Sequence, residues 1–448
     1  MLKRLGRSFI HGFIIMLLMA IVVITVRQTA VLRNIEFLNP LEDAFSDFDL
    51  TDLVFSKLRG PQKADTNITV INIGMLSRAE LATMINIINQ HNPKVIGFDV
   101  QLELARDSLQ DIPLAQAFSQ VKNLVMVSDL QPNADSTVKK RDYVKTSYNL
   151  FTQHAYTAFA NFITKGKGNQ LDLTSVRSFS PKEKTAKVII DDGQQMDTVG
   201  LKKAQRKNTS AYEYAFGVKI AQIYAPKKAK AFLARNRNFE WINFRGNVSI
   251  DGATKFNVLD VEQLMTQQFE PNAVIKDKIV LLGFMGSSLQ SRSFDDKLYT
   301  PLNENYMGRS APDMYGVVVH ANIISMILKG DFINDTPPWL NNIISFFIVL
   351  ITVMIFSYIF IKVGIWYDAL TILIQALIVL GILGLMIMVF FKTDTKMDLG
   401  AGLLGVIFSG IFVEIYHGFI RKLFGWRAPN EIQHQKDVAT PPQKESEE

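Results

Sequence analysis

The stretch Met314–Asn342 reads "MYGVVVHANIISMILKGDFINDTPPWLNN" and marks where one kind of structure gives way to another. From Gly316 it turns apolar with a helical period, carries a single histidine at His320, and stops at Gly330. It then passes through Pro337, Pro338 and Trp339 into a long apolar run. A histidine in an otherwise apolar helix invites a catalytic reading. Its place just ahead of an apolar run of membrane-spanning length invites a mechanical one.

Working outward, four stretches approach or exceed the ~20 apolar residues that cross a hydrocarbon core. They are 8–26, 340–361, 369–391 and 399–420. Backbone groups in lipid must be satisfied within the segment, so each is expected to be a helix. The first follows a basic start (Lys3, Arg4, Arg7), but "RQTAVLRN" after Val26 lacks a clear small-x-small cleavage site, which favours an uncleaved anchor. Basic residues flank the first and last runs (Lys3, Arg4, Arg7; Arg421, Lys422, Arg427), placing both ends in the cytoplasm. The expected organisation is an N-terminal anchor over 1–27, an extracytoplasmic domain over 28–339, a three-helix bundle over 340–420 and a short disordered cytoplasmic tail over 421–448. The chain of 448 residues has no Cys, so no disulfide staples the outer domain and its core must stand alone.

Between the first two apolar runs, strands alternate with helices. "NITVINIG", "VIGFDVQLE" (Val95 to Glu103), "LVMVSDL", "FEWINFRG" (Phe239 to Gly246) and "KIVLLGFMG" read as strands. The segment opening at Ser77, with Glu80 three residues on, reads as a helix with a capping box. "PLAQAFSQVKN", "YEYAFGVKIAQIYA" and "VLDVEQLMTQQ" read as further helices, and "YNLFTQHAYTAFANFI" as a segment able to pack on the sheet. The expected fold is an α/β extracytoplasmic domain, a mostly parallel sheet covered by helices, joined to an α-helical membrane region of four spans. A basic polar insertion is expected over about 131–207; 139–207 alone holds 14 Lys or Arg against 6 Asp or Glu. Such a patch attracts anionic lipid, polymer or an acidic partner, or is simply a solvated surface.

The outer segment resembles the type-2 CHASE sensory domain (cyclase and histidine-kinase associated sensory, extracellular). The residues that carry the resemblance are "NPKVIGFDVQLE", "FEWINFRG", "KDKIVLLGFMGSS", "DDKLYTPL" and "MYGVVVHANIISMILKGDFINDTPPW", in that order. It extends over roughly 34–339 and to the three helices that typically follow. The resemblance implies signal input outside the cytoplasm, usually coupled to a cytoplasmic kinase, cyclase or phosphatase. The expectation for this chain is a domain of that type without its own output module.

Candidate ligand-binding residues are Asp99, Arg245 and Asp296. Asp99 closes a predicted strand, where open α/β sheets place ligand-contacting residues, or it serves as a helix cap or turn residue. Arg245 ends another strand and is suited to a carboxylate partner. Asp295 and Asp296 lie in the Ser-rich loop "GSSLQSRSFDDKLYTPL", but adjacent Asp side chains diverge, which disfavours a metal. Gly283 and Gly286 flank a turn that lacks the Gly-Lys-Ser/Thr ending of a phosphate loop. Structural and coupling roles fall to His320, Asn322, Pro337, Pro338 and Trp339. His320 has no Cys, HExxH or G-x-S-x-G partner and is expected to tie its helix start to the Asp296–Pro301 loop. Glu414 and His417 lie near the end of the last apolar run, within reach of the interface. Ala401, Gly405 and Ser409 favour close helix packing, within the bundle or between copies in a homo-oligomer.

The expected function is that of a bacterial inner-membrane sensor that passes an extracytoplasmic stimulus to a separate protein partner. The competing expectation is a structural or accessory subunit of an envelope complex. No catalytic constellation, metal site, cofactor or nucleic-acid partner is expected; membrane lipids are.

Overall fold

A computed structural model describes residues 2–28, 50–60, 62–132, 141–162, 175–185, 189–190, 211–248, 255–291, 293–303, 311–363 and 366–421. The tail beyond Arg421 and the positions 133–140, 163–174, 186–188 and 191–207 of the basic insertion lie outside them. The chain divides into a larger unit, Asp47–Asn334, and a smaller one, Met1–Ser46 with Asp335–Glu448. Helix α1 (Leu2–Gln28) belongs to the smaller unit.

The larger unit begins with β1 (Asp65–Asn72), α2 (Arg78–Gln90), β2 (Val95–Asp99), α3 (Ser108–Ser119) and β3 (Leu124–Pro132). It continues with β4 (Arg141–Thr146), β5 (Tyr156–Phe159), β6 (Ile189–Ile190), α4 (Phe216–Tyr224), β7 (Phe256–Leu259), α5 (Val261–Met265) and β8 (Ile279–Gly283). The short strands β9 (Lys297–Leu298) and β10 (Met314–Tyr315) then lead into α6 (Gly316–Lys329). One sheet of eight strands runs in the order β7-β1-β8-β2-β3-β4-β6, with β5 beside β3. All its pairings are parallel except β3 with β4.

Central strands of parallel sheets are covered on both faces and read as near-continuous apolar runs, as "IVLLG" does with all five residues buried. On one face α2 and α3 pack Ile85, Ile88 and Phe118 against Phe98 and Leu282. Ser77 caps α2 through the predicted box: the Glu80 N–H donates to Ser77 Oγ, and the Ser77 N–H to Glu80 Oε2 at 2.7 Å. On the other face lie α4 and α6, brought close by glycines in the strands. A Cβ at Gly97 would sit 2.6 Å from Ile220 and 2.9 Å from Phe216, and one at Gly283 2.6 Å from Val317. Every residue of α6 from Val317 to Leu328 is buried, the condition that an all-round apolar helix requires. Gly330 ends it in the left-handed conformation, φ +75°.

Three predicted elements differ from the observed ones. "YEYAFGVKIAQIYA" splits into a strand, Ala211–Tyr214, and α4. "VLDVEQLMTQQ" splits likewise into the end of β7 and α5. "FEWINFRG" pairs only over Glu240–Trp241, antiparallel to Ser178–Phe179. Part of the expected insertion joins the sheet as β4, β5 and β6.

The smaller unit contains α7 (Pro338–Val363), α8 (Tyr367–Thr393) and α9 (Gly400–Ile415), the last continuing as a π-helical turn, Tyr416–Ile420. Pro338 opens α7 at its first position, where a missing N–H is an orphan in any case. Among the described residues three helices, not the four expected, are long and apolar enough to cross a membrane: Pro338–Val363, Tyr367–Thr393 and Gly400–Ile420. The expected first span falls short because its described apolar portion is only Phe9–Val22. Helix α1 nevertheless packs into the bundle, with Ile15 and Met19 in one cluster with Val353, Phe356, Val413 and Tyr416. His11 Nδ1 lies 2.5 Å from Tyr416 Oη. A Cβ at Gly405 would fall 2.4 Å from Val349, so this small residue serves packing of α9 on α7 within the chain.

Candidate functional site

The strands β7, β1, β8 and β2 end side by side in the parallel sheet, and their C-terminal edges bring Asp260, Asn72 and Asp99 to one side. In open α/β sheets this edge, where strand order reverses, is where ligands bind. Here β1 runs on to β2 in one direction, while β7 and β8 return to either side of β1. Buried Asn72, at the end of β1, knits the edge together. Its Oδ1 accepts from the N–H groups of Gly74 (3.0 Å) and Met285 (2.9 Å), and its Nδ2 donates to Asp260 Oδ1 (3.0 Å) and the Gly286 carbonyl (3.1 Å). Asp260 also accepts from Leu289 N–H at 2.8 Å, which holds the loop after β8 against the cap of α5.

Beside this edge opens a cleft of about 670 Å³. Its described walls include Asn247, Asp260, Phe294, Lys297, Asp313 and Tyr315. The two-residue ladder of β9 on β10 forms one wall and pairs Lys297 with Tyr315 and Leu298 with Met314. The Gly316 N–H, first in α6, donates to the Asp296 carbonyl at 3.1 Å. Asp313 accepts from Thr300 twice, from N–H at 2.8 Å and from Oγ1 at 2.5 Å, which fixes the "TPL" turn. The cleft wall and the start of α6 are therefore one piece of backbone.

The carboxylates of this region are held in unfavourable surroundings. Asp99 ends β2 opposite Gly283, and burial, followed by the charge of Asp296, pushes its carboxyl up from 3.8 to about 7. Burial, with neighbouring Asp295, raises Asp296, whose backbone sits at φ +63°. Burial raises Asp313 to about 6 against the hydrogen bonds from Thr300, which lower it. Asp99 and Asp296 are thus brought together electrostatically, but neither lines the cleft. No group of three or more His, Cys, Asp or Glu suited to a metal occurs among the described residues.

Arg245 lies elsewhere. Its guanidinium reaches Asp331 Oδ2 (2.7 Å), Ser325 Oγ (2.8 Å) and the Lys63 carbonyl (3.2 Å). Ser325 in turn donates to Asp65 Oδ2 at 2.8 Å. Asn322, fully buried on the same helix, accepts from the N–H groups of Arg245 (2.7 Å) and Gly246 (3.3 Å) and donates to the carbonyls of Gly246 (3.0 Å) and Val318 (2.9 Å). This polar network bolts the "INFRG" segment and the start of β1 onto α6. It is a strut and has no place in the cleft.

His320 is 3% exposed and, among the described residues, makes no hydrogen bond to the Asp296–Pro301 loop that it was expected to tie. Its ring stacks on Phe162 at 4.6 Å and meets the edge of Phe216 at 5.1 Å, with Nδ1 lacking a hydrogen-bond partner among the described residues. Burial lowers its pKa to about 3, so it is a neutral core ring. The loop is tied to the helix start by backbone instead, through Asp296 and the β9–β10 ladder. Trp339 is 63% exposed.

Asn72, Asp260, Asp313, Tyr315 and Ser325 were not singled out from the sequence. Asp313 stands three residues before the glycine that starts α6, and Ser325 one turn after Asn322 on the same face; both spacings were available as signals.

The family described as CHASE2 domain matches the chain over residues 18–361, from within α1, through the whole larger unit, into α7. No curated protein and no solved structure matches it. The match takes in most of the chain and contains both the cleft and the strut, and on that basis the chain belongs to the CHASE2 family of sensory extracellular domains.

Proposed function

We propose that the protein is a bacterial inner-membrane sensor: its CHASE2 domain detects an extracytoplasmic stimulus in the cleft, and α6 passes the change to a separate protein partner through the helices that follow. The observation that carries this reading is the continuity of backbone from the cleft wall into α6. The Lys297–Tyr315 ladder and the Gly316–Asp296 hydrogen bond tie movement of the wall to movement of a fully buried helix. Packed elements of this kind shift as units rather than deform smoothly. Beyond Gly330 the chain reaches α7 through Pro337 and Pro338, which limit backbone freedom and favour transmission over absorption. In this reading both ends of the chain are cytoplasmic. Reporter fusions after Asn208 and after Glu448 that report the same side would overturn that placement.

The functional test is a flexible Gly-Ser insert after Asp335. The partner's response to stimulus should be lost while its co-purification with the protein persists. An insert that leaves the response intact would refute transmission through this joint and favour the envelope-subunit reading.

A further inference from the structure

We infer that the cleft takes a neutral, hydroxyl-rich ligand of one or two sugar rings. The inference rests on the sensory reading and deepens it by naming the ligand class. Its volume, about 670 Å³, lies within the range of ~300–1,000 Å³ typical of small-molecule sites.

The chemistry of the described lining argues against the other classes in turn. Asp260, Glu262 and Asp313 face the cleft, and none is ion-paired among the described residues, so a phosphorylated or polycarboxylate ligand meets three like charges. The one cation of the described lining, Lys297, does not offset them. Its ammonium lies over the rings of Tyr315 (4.8 Å) and Phe294 (5.8 Å). Its positive charge beside these rings repels an organic ammonium that would seek them. An apolar ligand would strand the carboxylates and the amides of Asn247, Gln263 and Gln290 without partners, at the cost of burying unpaired polar groups.

A sugar meets each of these features. Its hydroxyls both donate and accept, so they satisfy carboxylates that accept only and amides that do both. Asp260 and Asp313 are already oriented by donors from their own chain, from Asn72, Val261 and Leu289 and from Thr300 respectively, and retain acceptor capacity. The C–H face of a pyranose is apolar and suits the ring of Phe294, which is 59% exposed at the cleft. The carboxylates and planar amides are suited to paired contacts with adjacent hydroxyls, which supplies selectivity.

The test uses the full chain in detergent micelles free of sugar headgroups, with glucose, galactose, mannose, N-acetylglucosamine, maltose and cellobiose as probes by isothermal titration. Citrate and putrescine serve as the anionic and cationic controls. At least one saccharide should bind, and Phe294→Ala should weaken it roughly 10-fold, the loss expected of one ring stack. Asp260→Asn should weaken it as well, with the folded state checked by thermal unfolding. No saccharide binding, or saccharide binding unchanged by both substitutions, overturns the inference. Binding of citrate or putrescine alone, abolished by Phe294→Ala, also overturns the ligand class while leaving the sensory cleft in place. Failure of the sensory reading shows separately, in the insert experiment.

Discussion

Asn322→Ala tests whether the strut on α6 holds the larger unit together. The amide accepts from two backbone N–H groups, of Arg245 and Gly246, and donates to the Gly246 carbonyl, all in a site with no solvent exposure. Truncation leaves these three groups without that partner, while the Val318 carbonyl stays within its helix. At about 1–3 kcal/mol for each buried group left unpaired, with some relief from relaxation, the loss comes to roughly 3–5 kcal/mol. For a unit of this size the urea slope is about 3 kcal/mol per M, so the unfolding midpoint should fall by roughly 1–1.7 M. Pulse proteolysis of the full chain in detergent across a urea series, scored on fragments from the larger unit, reads that midpoint. Ser325→Ala, which breaks one link to Asp65 and one to Arg245, should show a smaller fall. An Asn322→Ala midpoint within about 0.3 M of the parent would refute the reasoning, because the backbone would then be satisfied without the amide.

Two pH dependences follow from the buried groups. Asp99 keeps its proton up to about 7 in the folded state and loses it near 3.8 when unfolded, so its contribution to stability falls as pH rises through that window. The gain of Asp99→Asn over the parent should therefore grow between about pH 4 and about pH 7, and a constant difference would count against the assigned environment. His320 acts in the opposite sense: the folded core holds it neutral down to about 3 while the unfolded ring protonates near 6.5, so stability is lost as pH falls through that range. His320→Leu should flatten this acid limb, and His320→Ala should cost about 3 kcal/mol at neutral pH through lost packing on Phe162 and Phe216; an unchanged acid limb in the Leu variant would argue against a buried neutral ring.

The alternation of strands and helices was legible because local chemistry states it. Ser77 and Glu80 announce the start of α2, and "VIGFD" stops being apolar at the residue where β2 ends. The limits of "FEWINFRG" were not legible, because its hydrogen bonds go to side chains of a distant helix. Asn243 N–H donates to Met326 Sδ and Arg245 N–H to Asn322 Oδ1, and neither bond is visible in the segment's own pattern. The same holds for the site. Asp99 and Asp296 were singled out by their places in a strand and a loop, but neither lines the cleft. The cleft walls were missed because Asp260, Phe294 and Asp313 converge only when β7 and β8 settle on either side of β1. His320 was read as a structural residue of its helix start, but its neighbours, Phe162 and Phe216, come from segments that no spacing connects to it.

The place of β8 in the sheet bears on how the chain is made. This strand lies between β1 and β2, yet it follows Asp99 by roughly 180 residues. At about 5–20 residues per second, synthesis leaves the slot empty for some 10–40 s. During that interval β1 and β2 expose apolar edges on either side of a gap, the kind of edge that recruits stray strands. A nascent chain stopped before Lys278 cannot close its sheet, so the larger unit can complete itself only once β8 has been made. Helix α6, the next long element, then seals the finished face just before the apolar run of α7 emerges.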